Sequence, residues 1–397
     1  MSHQRFVINN RLVFRPVVRW NIIRRFIIIL YLLLAACGST APQPTQAPAY
    51  VLRVVHGSGS GRYAVGSVVH IWANPYSPGW IFSSWTGDIA NLPDVRSMHS
   101  VLVMPSRDLM VEATYKEMLV WKVNYEVLDG RDVYYYFPPA SKGVIVFFHG
   151  SGGDAREWTN LGAERRHFFD DAISEGYAII AIDSADQINK QWELTLPAES
   201  NADFRAVRDI LAIFKGRGEI KEALPIYGIG MSRGGQFATL AGYSLPMKAL
   251  ALMVADSVEE MITVSTVPMM WCLAEHDVII DSEQALANYQ QLTKRGVDAG
   301  FYVHPPMPIY PLYFVDTNGV DVAGSVQLFR DLKNHGFLDE NNFLIQNPRF
   351  SGWEKYTMGF SDEIRLDIQD RLFVAYGEHA FYSDCDHRIL DFFGAHP

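Results

Sequence analysis

The sequence predicts a fold of the α/β class, with a mostly parallel sheet that carries helices on both faces and a small all-β domain before it. From residue 120 onward, apolar strand-like runs alternate with helix-like segments, as in βαβ units. Between residues 50 and 117, short runs alternate with period two and are separated by Gly, Pro and Asn turns. Since 49% of the 397 residues are hydrophobic, the chain can bury a sizeable core.

The first 36 residues are predicted to be a signal peptide for export. They contain six arginines and no acid, and residues 26–36 form an uncharged run of eleven residues, too short to span a membrane. The run leads into the letters LAACG, which resemble the lipobox of bacterial lipoproteins. The resemblance implies that cleavage precedes Cys37, which then carries the lipid. An ordinary secretion signal with a coincidental cysteine is the alternative.

Residues 37–49 contain three prolines and no charged side chain, a composition typical of an extended tether. At about 3 Å per residue, such a tether reaches roughly 35–40 Å from a membrane surface. We therefore expect an exported, extracellular protein that is lipid-anchored at the bacterial cell envelope, so that a membrane is one of its partners.

The β domain, residues 50–117, also resembles a known family. Its distinctive letters are GRYAVGSVVHIWA at 61–73, FSSWTGD at 82–88, MP at 104–105 and VEATY at 111–115. These resemble one divergent internalin B-repeat, a module of bacterial surface proteins, which implies a spacer or adhesion role without catalysis. Trp72, Trp80, Phe82 and Trp85 are candidates for contacting a glycan or a cell surface, but filling a small core is the favoured interpretation.

The larger domain, residues 120–397, alternates between two kinds of element. The runs predicted as central strands are residues 144–148, 177–182, 225–229, 249–254 and 267–273. The predicted helices are residues 164–175, 204–214, 235–243 and 284–294. Apolar strands joined through helices predict a parallel sheet covered on both faces.

Ser232 is the candidate nucleophile of this domain. It lies in the letters GMSRGG, between the strand predicted to end at residue 229 and the helix predicted to begin at residue 235. A serine on a tight strand-to-helix turn needs glycine neighbours, because strand and helix approach closely there. The start of the helix also directs backbone N–H groups toward a developing oxyanion. This context predicts a nucleophile elbow.

A second glycine-rich segment, HGSGG at residues 149–153, follows the first buried strand. It resembles the oxyanion loop of α/β-hydrolases, which implies that N–H groups of Gly150, Ser151 and Gly152 join that of Arg233 in holding an oxyanion. A plain glycine turn is the alternative. His149 is expected to be structural rather than a proton carrier.

The acid of a catalytic triad should follow a later strand of this sheet. Asp277 is the candidate, because the strand predicted at residues 267–273 leads directly into the letters AEHD. Its carboxylate would orient a histidine and stabilise the charged form of the ring. Asp256, after the preceding strand, and Glu275 are the rival acids.

The histidine should come last in chain order. His379 is the candidate, on a loop between strand-like residues 372–375 and a closing helix at 386–393. His387 is expected on that helix, facing solvent. His304, after a strand-like segment, is the third option.

Residues 120–397 resemble the α/β-hydrolase family, and the letters GEHAF with the closing helix look most like its esterase and dienelactone-hydrolase-like branch. The resemblance implies that Ser232 is the nucleophile, Asp277 the acid and His379 the base. We therefore expect a serine hydrolase that cleaves a small-molecule or polymeric carboxylic ester. A serine peptidase of the oligopeptidase type is the runner-up, and an inactive surface-binding protein is the third hypothesis.

About a hundred residues separate Asp277 from His379, where an ordinary family member needs a few tens. The extra piece, residues 305–370, opens with PPMPIYP, which cannot form a helix or a central strand. Helix-like segments follow at 322–335 and 361–369, and we interpret the insertion as a lid or cap. Its aromatic side chains either line a substrate pocket or pack the insertion against the body: Phe314, Phe337, Phe343, Trp353 and Tyr356.

The charge and the motifs also exclude classes of partner. Beyond residue 36 the chain has 28 basic and 44 acidic residues, a formal charge of −16, which disfavours nucleic acid as a partner. No zinc-type Cys/His spacing, phosphate-binding loop or dinucleotide fingerprint occurs, so we expect no metal and no organic cofactor. Cys272 and Cys385 either pair or remain free, half-buried thiols, and the free state is favoured.

Overall fold

The structure is a computed structural model that describes residues 48–75, 79–160 and 162–397. The predicted signal peptide, the proposed lipid-bearing Cys37 and nearly all of the predicted tether lie outside the described residues. No helix in the described ranges has both the length and the apolar composition that a membrane span requires.

The β domain consists of two small sheets. Its strands are β1 (Ala49–Val55), β2 (Gly57–Ser58), β3 (Gly61–Ala64), β4 (Val68–Ala73), β5 (Trp80–Gly87), β6 (His99–Val103) and β7 (Leu109–Glu117). One sheet has the order β3-β1-β7-β5 and the other β2-β4-β6. The strands pair antiparallel, except that β1 and β7 run parallel with Leu52 opposite Leu109.

The period-two pattern of these strands builds the small core that the sequence predicts. Phe82 and Trp85 are 5% and 1% exposed, and the Trp85 indole N–H donates to the Ser97 carbonyl over 3.0 Å. Trp80, in contrast, is 44% exposed. Core filling therefore accounts for two of the four aromatic residues considered above, and Trp72 has a different neighbour, described below.

The larger domain is built on an eight-stranded sheet. Its strands are β8 (Asn124–Leu128), β9 (Arg131–Tyr136), β10 (Gly143–Phe148), β11 (Tyr177–Ile182), β12 (Ile226–Met231), β13 (Met247–Met253), β14 (Met269–Ala274) and β15 (Ala299–His304). The order is β15-β14-β13-β12-β10-β11-β9-β8. The six strands from β15 to β11 are parallel, and β9 and β8 extend the sheet antiparallel. This topology confirms the predicted α/β-hydrolase fold class.

Helices cover both faces of the sheet, which is why every residue of β10 and β11 is buried. They are α1 (Glu157–Asn160), α2 (Ala163–Ser174), α3 (Ala202–Gly216), α4 (Arg233–Ser244), α5 (Glu259–Val264), α6 (Ser282–Lys294), α7 (Val322–Asn334), α8 (Asp362–Tyr376) and α9 (Asp386–Gly394). One apolar core contains Phe147 and Tyr227, and the other contains Phe148 and Phe237.

The strand predicted at residues 372–375 is wrong, because these residues form the last part of α8. All four are buried, and a short run that is apolar on every side has no period from which to tell a helix from a strand. The helix has clear ends. The Ser361 hydroxyl accepts from the N–H of Ile364 at the start, and Gly377 adopts φ 76° at the end.

The insertion, residues 305–370, packs largely against the body of the domain. Phe314, Phe337 and Trp353 are 0%, 6% and 2% exposed and belong to the core that contains Phe147. Phe343 and Tyr356 are partly buried, and the Phe343 ring meets the edge of His70 in the β domain. Packing, rather than lining a pocket, is therefore the role of the three buried rings.

The β domain packs directly on the larger domain, within the compact unit Ala49–Pro397. The Trp72 ring stacks on Tyr310 with centroids 4.9 Å apart. Charged pairs also join the two domains. They are Asp94 with His387 and Arg388, Arg96 with Asp391, and Lys116 with Asp171. The expectation that His387 faces solvent is wrong, because its Nε2 lies 2.8 Å from Asp94 Oδ2.

Candidate active site

Ser232 lies between β12 and α4 with φ 54° and ψ −124°. A positive φ is strained for any residue with a Cβ atom, and such strain is typical of a nucleophile held on a sharp elbow. A Cβ atom added at Gly230 would overlap the Gly234 backbone, and one at Gly234 would overlap the carbonyls of Phe148 and His149. The glycines are therefore required by the close approach of strand and helix.

Asp277 and His379 form a hydrogen-bonded pair across about a hundred residues of chain. His379 Nδ1 lies 2.8 Å from Asp277 Oδ2, and the two side chains are 11% and 0% exposed. Asp277 Oδ1 accepts from the N–H groups of Ile279 and Ile280 at 2.7 and 3.2 Å. These bonds fix the position of the carboxylate, which accepts the Nδ1–H of His379 and leaves Nε2 as an acceptor.

The rival acids have other surroundings. Asp256 Oδ1 accepts from Asn288 Nδ2 and from the N–H of Ser257, and burial raises the pKa of Asp256. Glu275 is exposed. Neither makes a hydrogen bond to a histidine among the described residues, so the geometry singles out Asp277.

The rival histidines are also engaged elsewhere. His304 is 0% exposed, and its ring nitrogens donate to Asp384 Oδ2 at 2.7 Å and to the Val374 carbonyl at 2.8 Å. Burial opposes a charge on this ring, but Asp384 prevails and the pKa of His304 is raised. His387 contacts Asp94, as described above. His379 is the histidine that pairs with Asp277, the candidate acid that follows β14.

The segment HGSGG lies beside the serine, since a Cβ atom at Gly150 would be 3.7 Å from Ser232 Cβ. The N–H of Gly152 donates to the Lys190 carbonyl at 3.1 Å, so it is engaged within the loop. The backbone N–H groups of Ser151 and Arg233 have no hydrogen bond to a described residue. Arg233 is the first residue of α4, where backbone N–H groups lack helical partners.

His149 has a structural place, as expected. Its Nδ1–H donates to the Gly150 carbonyl at 2.7 Å, and its Nε2 accepts from the N–H of Ser184 at 3.1 Å. Burial lowers the pKa of His149, so the ring stays neutral. The carbonyl of His149 also accepts from the Trp192 indole at 2.9 Å. These bonds fix the start of the loop beside Ser232.

A cleft of about 240 Å³ opens at Ser232. Its other walls are Ser151, Arg233, Gln236, Asp256, Ile279, Ile280 and Asp281. The cleft therefore brings together the elbow, the glycine loop and the segment whose N–H groups bind Asp277. Ser232 Oγ and His379 Nε2 have no hydrogen bond to a described residue, and such catalytic bonds often tighten only when substrate binds.

Glu378 is a buried residue of this region that the sequence analysis missed. It is 0% exposed, and its Oε1 accepts from the N–H of its neighbour His379 at 2.9 Å. The same oxygen lies 3.5 Å from the N–H of Val278 and 3.6 Å from Arg349, and Asn347 donates to Oε2. Glu378 thus ties the acid loop, the histidine loop and the insertion together. The only signal for it was its place inside GEHAF.

The described residues contain no group of His, Cys, Asp and Glu side chains arranged to hold a metal ion. Cys272 and Cys385 are both free, and both are fully buried rather than half-buried. Burial raises the pKa of the Cys385 thiol well above its usual value, so the thiol is unreactive.

Comparison with known proteins identifies one region by family. Residues 51–119 match the family model of the divergent InlB B-repeat domain, which confirms the resemblance of the β domain. No curated protein matches the chain.

Several solved esterase structures are similar in fold. The Pyrococcus furiosus esterase Pf2001 is 12% identical, with coverage of 47% of this chain and 84% of that one and a TM-score of 0.37. Est1E from Butyrivibrio proteoclasticus is 15% identical, with 54% and 100% coverage and a TM-score of 0.35. A carboxyl esterase from Bacillus coagulans is 11% identical, with 47% and 90% coverage and a TM-score of 0.37. Likeness at this level carries no argument about what this chain acts on.

Proposed function

We propose that this protein is an exported serine hydrolase that cleaves carboxylic esters. The observation that carries the proposal is the Asp277–His379 hydrogen bond, formed at the same edge of the sheet as the strained elbow of Ser232. The order serine, acid, histidine along the chain is the order used on this fold. No metal or organic group is needed for this chemistry.

In the proposed reaction, Ser232 Oγ attacks the ester carbonyl while His379 Nε2 takes the hydroxyl proton. Asp277 stabilises the imidazolium that forms. The N–H groups of Arg233 and Ser151 would hold the negative oxygen of the tetrahedral intermediate, with Gly150 in reach and Gly152 already engaged.

The intermediate then collapses, breaking the bond between the carbonyl carbon and the leaving oxygen. His379 passes its proton to the departing alcohol, and an acyl-Ser232 ester remains. Water, deprotonated by His379, attacks this ester and releases the acid, which restores the serine hydroxyl. Atoms and charge therefore balance over one ester and one water.

The proposed setting is the bacterial cell envelope. The B-repeat domain is typical of surface proteins, and we propose that a lipid on Cys37 anchors the chain to a membrane. In this proposal the exposed Trp80 contacts a glycan or the cell surface. If the protein with Cys37→Ser still partitions with membranes after expression in a lipoprotein-processing bacterium, the lipid anchor is wrong.

The decisive experiment for the activity is labelling with a fluorophosphonate, followed by assays on p-nitrophenyl esters of increasing chain length and on a peptide panel. We expect labelling and ester hydrolysis in the protein and neither in Ser232→Ala. Ser200→Ala, at an exposed serine, is the matched control and should behave as the parent.

Labelling that survives Ser232→Ala would exclude Ser232 as the nucleophile. Cleavage of peptides without cleavage of esters would favour the serine peptidase instead. Absence of labelling in the folded parent protein would favour an inactive surface-binding protein.

A further inference from the structure

A second cavity, of about 80 Å³, lies between the β domain and the larger domain, away from Ser232. The β domain contributes Trp72, Phe82 and His99 to its wall, and the larger domain contributes Tyr310, Asp384 and Asp386. The cavity exists only because the two domains pack together. It shares no residue with the cleft at Ser232.

Several buried polar atoms of this wall have no hydrogen-bond partner among the described residues. Among them are both carboxylate oxygens of Asp386, Oδ1 of Asp384, the indole Nε1 of Trp72 and Nε of Arg371. Asp386 is only 2% exposed, so water outside the protein does not solvate it. Buried polar groups in folded proteins nearly always have hydrogen-bond partners. This cluster of acceptors and donors without such partners therefore points to a ligand.

Of the acids in this wall, Asp386 is the one that forms no ion pair with a described residue, whereas Asp171 pairs with Lys116 and Asp316 with His167. The basic side chains of the wall already have acidic partners. These pairs are Arg96 with Asp391, Arg371 with Glu164, His304 with Asp384, and His387 with Asp94. His99 is neutral, because burial and the neighbouring His70 lower its pKa to about 3. Asp386 is therefore the acid of this wall beside which a cation would be stabilised most.

The size and the walls of the cavity restrict which cation would suit it. No grouping of side chains here suits a metal ion among the described residues. Trp72, Tyr310 and Phe82 give the cavity an aromatic lining, and aromatic rings attract ammonium groups. A cavity of ~150 Å³ holds the six heavy atoms of benzene, so about 80 Å³ suits roughly three to four heavy atoms.

We propose that this cavity binds a small primary ammonium compound that also carries a hydrogen-bond acceptor, of the size of ethanolammonium. Asp386 and Asp384 accept from the ammonium group, and the Trp72 indole N–H donates to the acceptor oxygen. Such a ligand would give Asp386, Asp384 and the Trp72 indole hydrogen-bond partners and would place a cation beside Asp386.

The test is isothermal titration of the full-length protein with ethanolammonium chloride. Ethylammonium, which lacks the acceptor, should bind about ten times more weakly, and neutral 1-propanol should not bind measurably. Glycerophosphoethanolamine distinguishes the source of the amine: weaker binding indicates a free amine, and equal binding indicates a lipid headgroup.

Two variants examine the two halves of the site. Asp386→Asn should weaken ethanolammonium at least tenfold, while Asp129→Asn, at an exposed aspartate, should leave binding unchanged. Trp72→Phe keeps an aromatic ring at this position but removes the indole N–H donor. The variant should lose the preference for ethanolammonium over ethylammonium. Thermal unfolding verifies that each variant folds.

The proposal is overturned if ethanolammonium does not saturate the parent protein, or if Asp386→Asn binds it equally well. Equal binding of 1-propanol would also overturn it, since charge would then not be recognised. These outcomes are independent of ester hydrolysis, which is measured at Ser232.

Discussion

Two buried aspartates of the larger domain have opposite surroundings. The Asp277 side chain is 0% exposed, and its oxygens accept hydrogen bonds from His379, Ile279 and Ile280. Asp386 is 2% exposed, and neither of its oxygens has a partner among the described residues. The same side chain is thus held by the protein in one place and left without donors in the other.

The difference distinguishes two kinds of site. A carboxylate whose oxygens accept several hydrogen bonds is fixed in position and orients its neighbour, as general-base chemistry requires. A carboxylate buried without donors destabilises the fold unless something else supplies them. The region of Asp277 is completed by the chain itself, whereas the region of Asp386 is completed by what binds there.

The largest effect is expected from Asp277→Asn. An asparagine amide cannot stabilise the imidazolium and favours the wrong tautomer of His379, so kcat for a p-nitrophenyl ester should fall by ~10⁴. Asp256→Asn changes the rival acid at the same cleft and should retain most of the activity. The opposite result, with loss only in Asp256→Asn, would transfer the acid role to Asp256.

Glu378→Gln examines how far the surroundings of the Asp277–His379 pair matter. The glutamine retains an acceptor for the His379 N–H but loses the charge beside Arg349, so kcat should fall ~10-fold to ~100-fold with KM nearly unchanged. The acidic limb of the kcat/KM pH profile should also move to lower pH, because a nearby negative charge is lost.

An unchanged pH profile with reduced stability would mean that Glu378 is merely structural. Arg349→Lys keeps the charge beside Glu378 and should behave as the parent protein in the profile, which makes it the matched control.

Asp386→Asn should stabilise the protein without ligand by about 1–3 kcal/mol at pH 7.5, measured by urea unfolding. Burial raises the pKa of Asp386 well above its usual value of 3.8. Below the unfolded pKa the carboxyl is neutral in both states and does not destabilise the fold, and stability is lost as pH rises from there toward the folded pKa. The advantage of the variant should therefore disappear below pH ~4. A destabilised variant at pH 7.5 would mean that Asp386 has a partner.

The smallest effect is expected from Asp94→Asn at the edge of the domain interface. Burial raises the pKa of Asp94, but the hydrogen bonds from His387 and the Arg96 backbone prevail and lower it to about 2. Its stabilisation is therefore present above the unfolded pKa and is lost as pH falls toward about 2.

The loss in Asp94→Asn should be about 1 kcal/mol at pH 6, because the carboxylate is only half buried and solvent screens it. Asp129→Asn, at an exposed position, should show no such loss. A difference between Asp94→Asn and the parent that persists at pH 2 would exclude this ion cluster as its cause.

Local patterns account for what could be predicted. The central strands, the helices and the elbow at Ser232 follow from apolar period and glycine spacing, which act over a few residues. The segment 372–375 was predicted wrongly for the same reason, because a run buried on all sides has no period to read. His387 was predicted wrongly because its partner, Asp94, lies almost three hundred residues earlier in the chain.

The sequence by itself therefore determined the order of elements, the two-domain plan and the candidates Ser232, Asp277 and His379. Only the tertiary structure decided which acid meets which histidine, that the insertion packs against the body, and that the β domain lies on the larger domain. It alone decided that Asp386 is buried with no hydrogen-bond partner in the part of the chain that the structure describes. The physical reason is that hydrogen bonding and burial depend on distances between residues far apart in the chain, which no local pattern encodes.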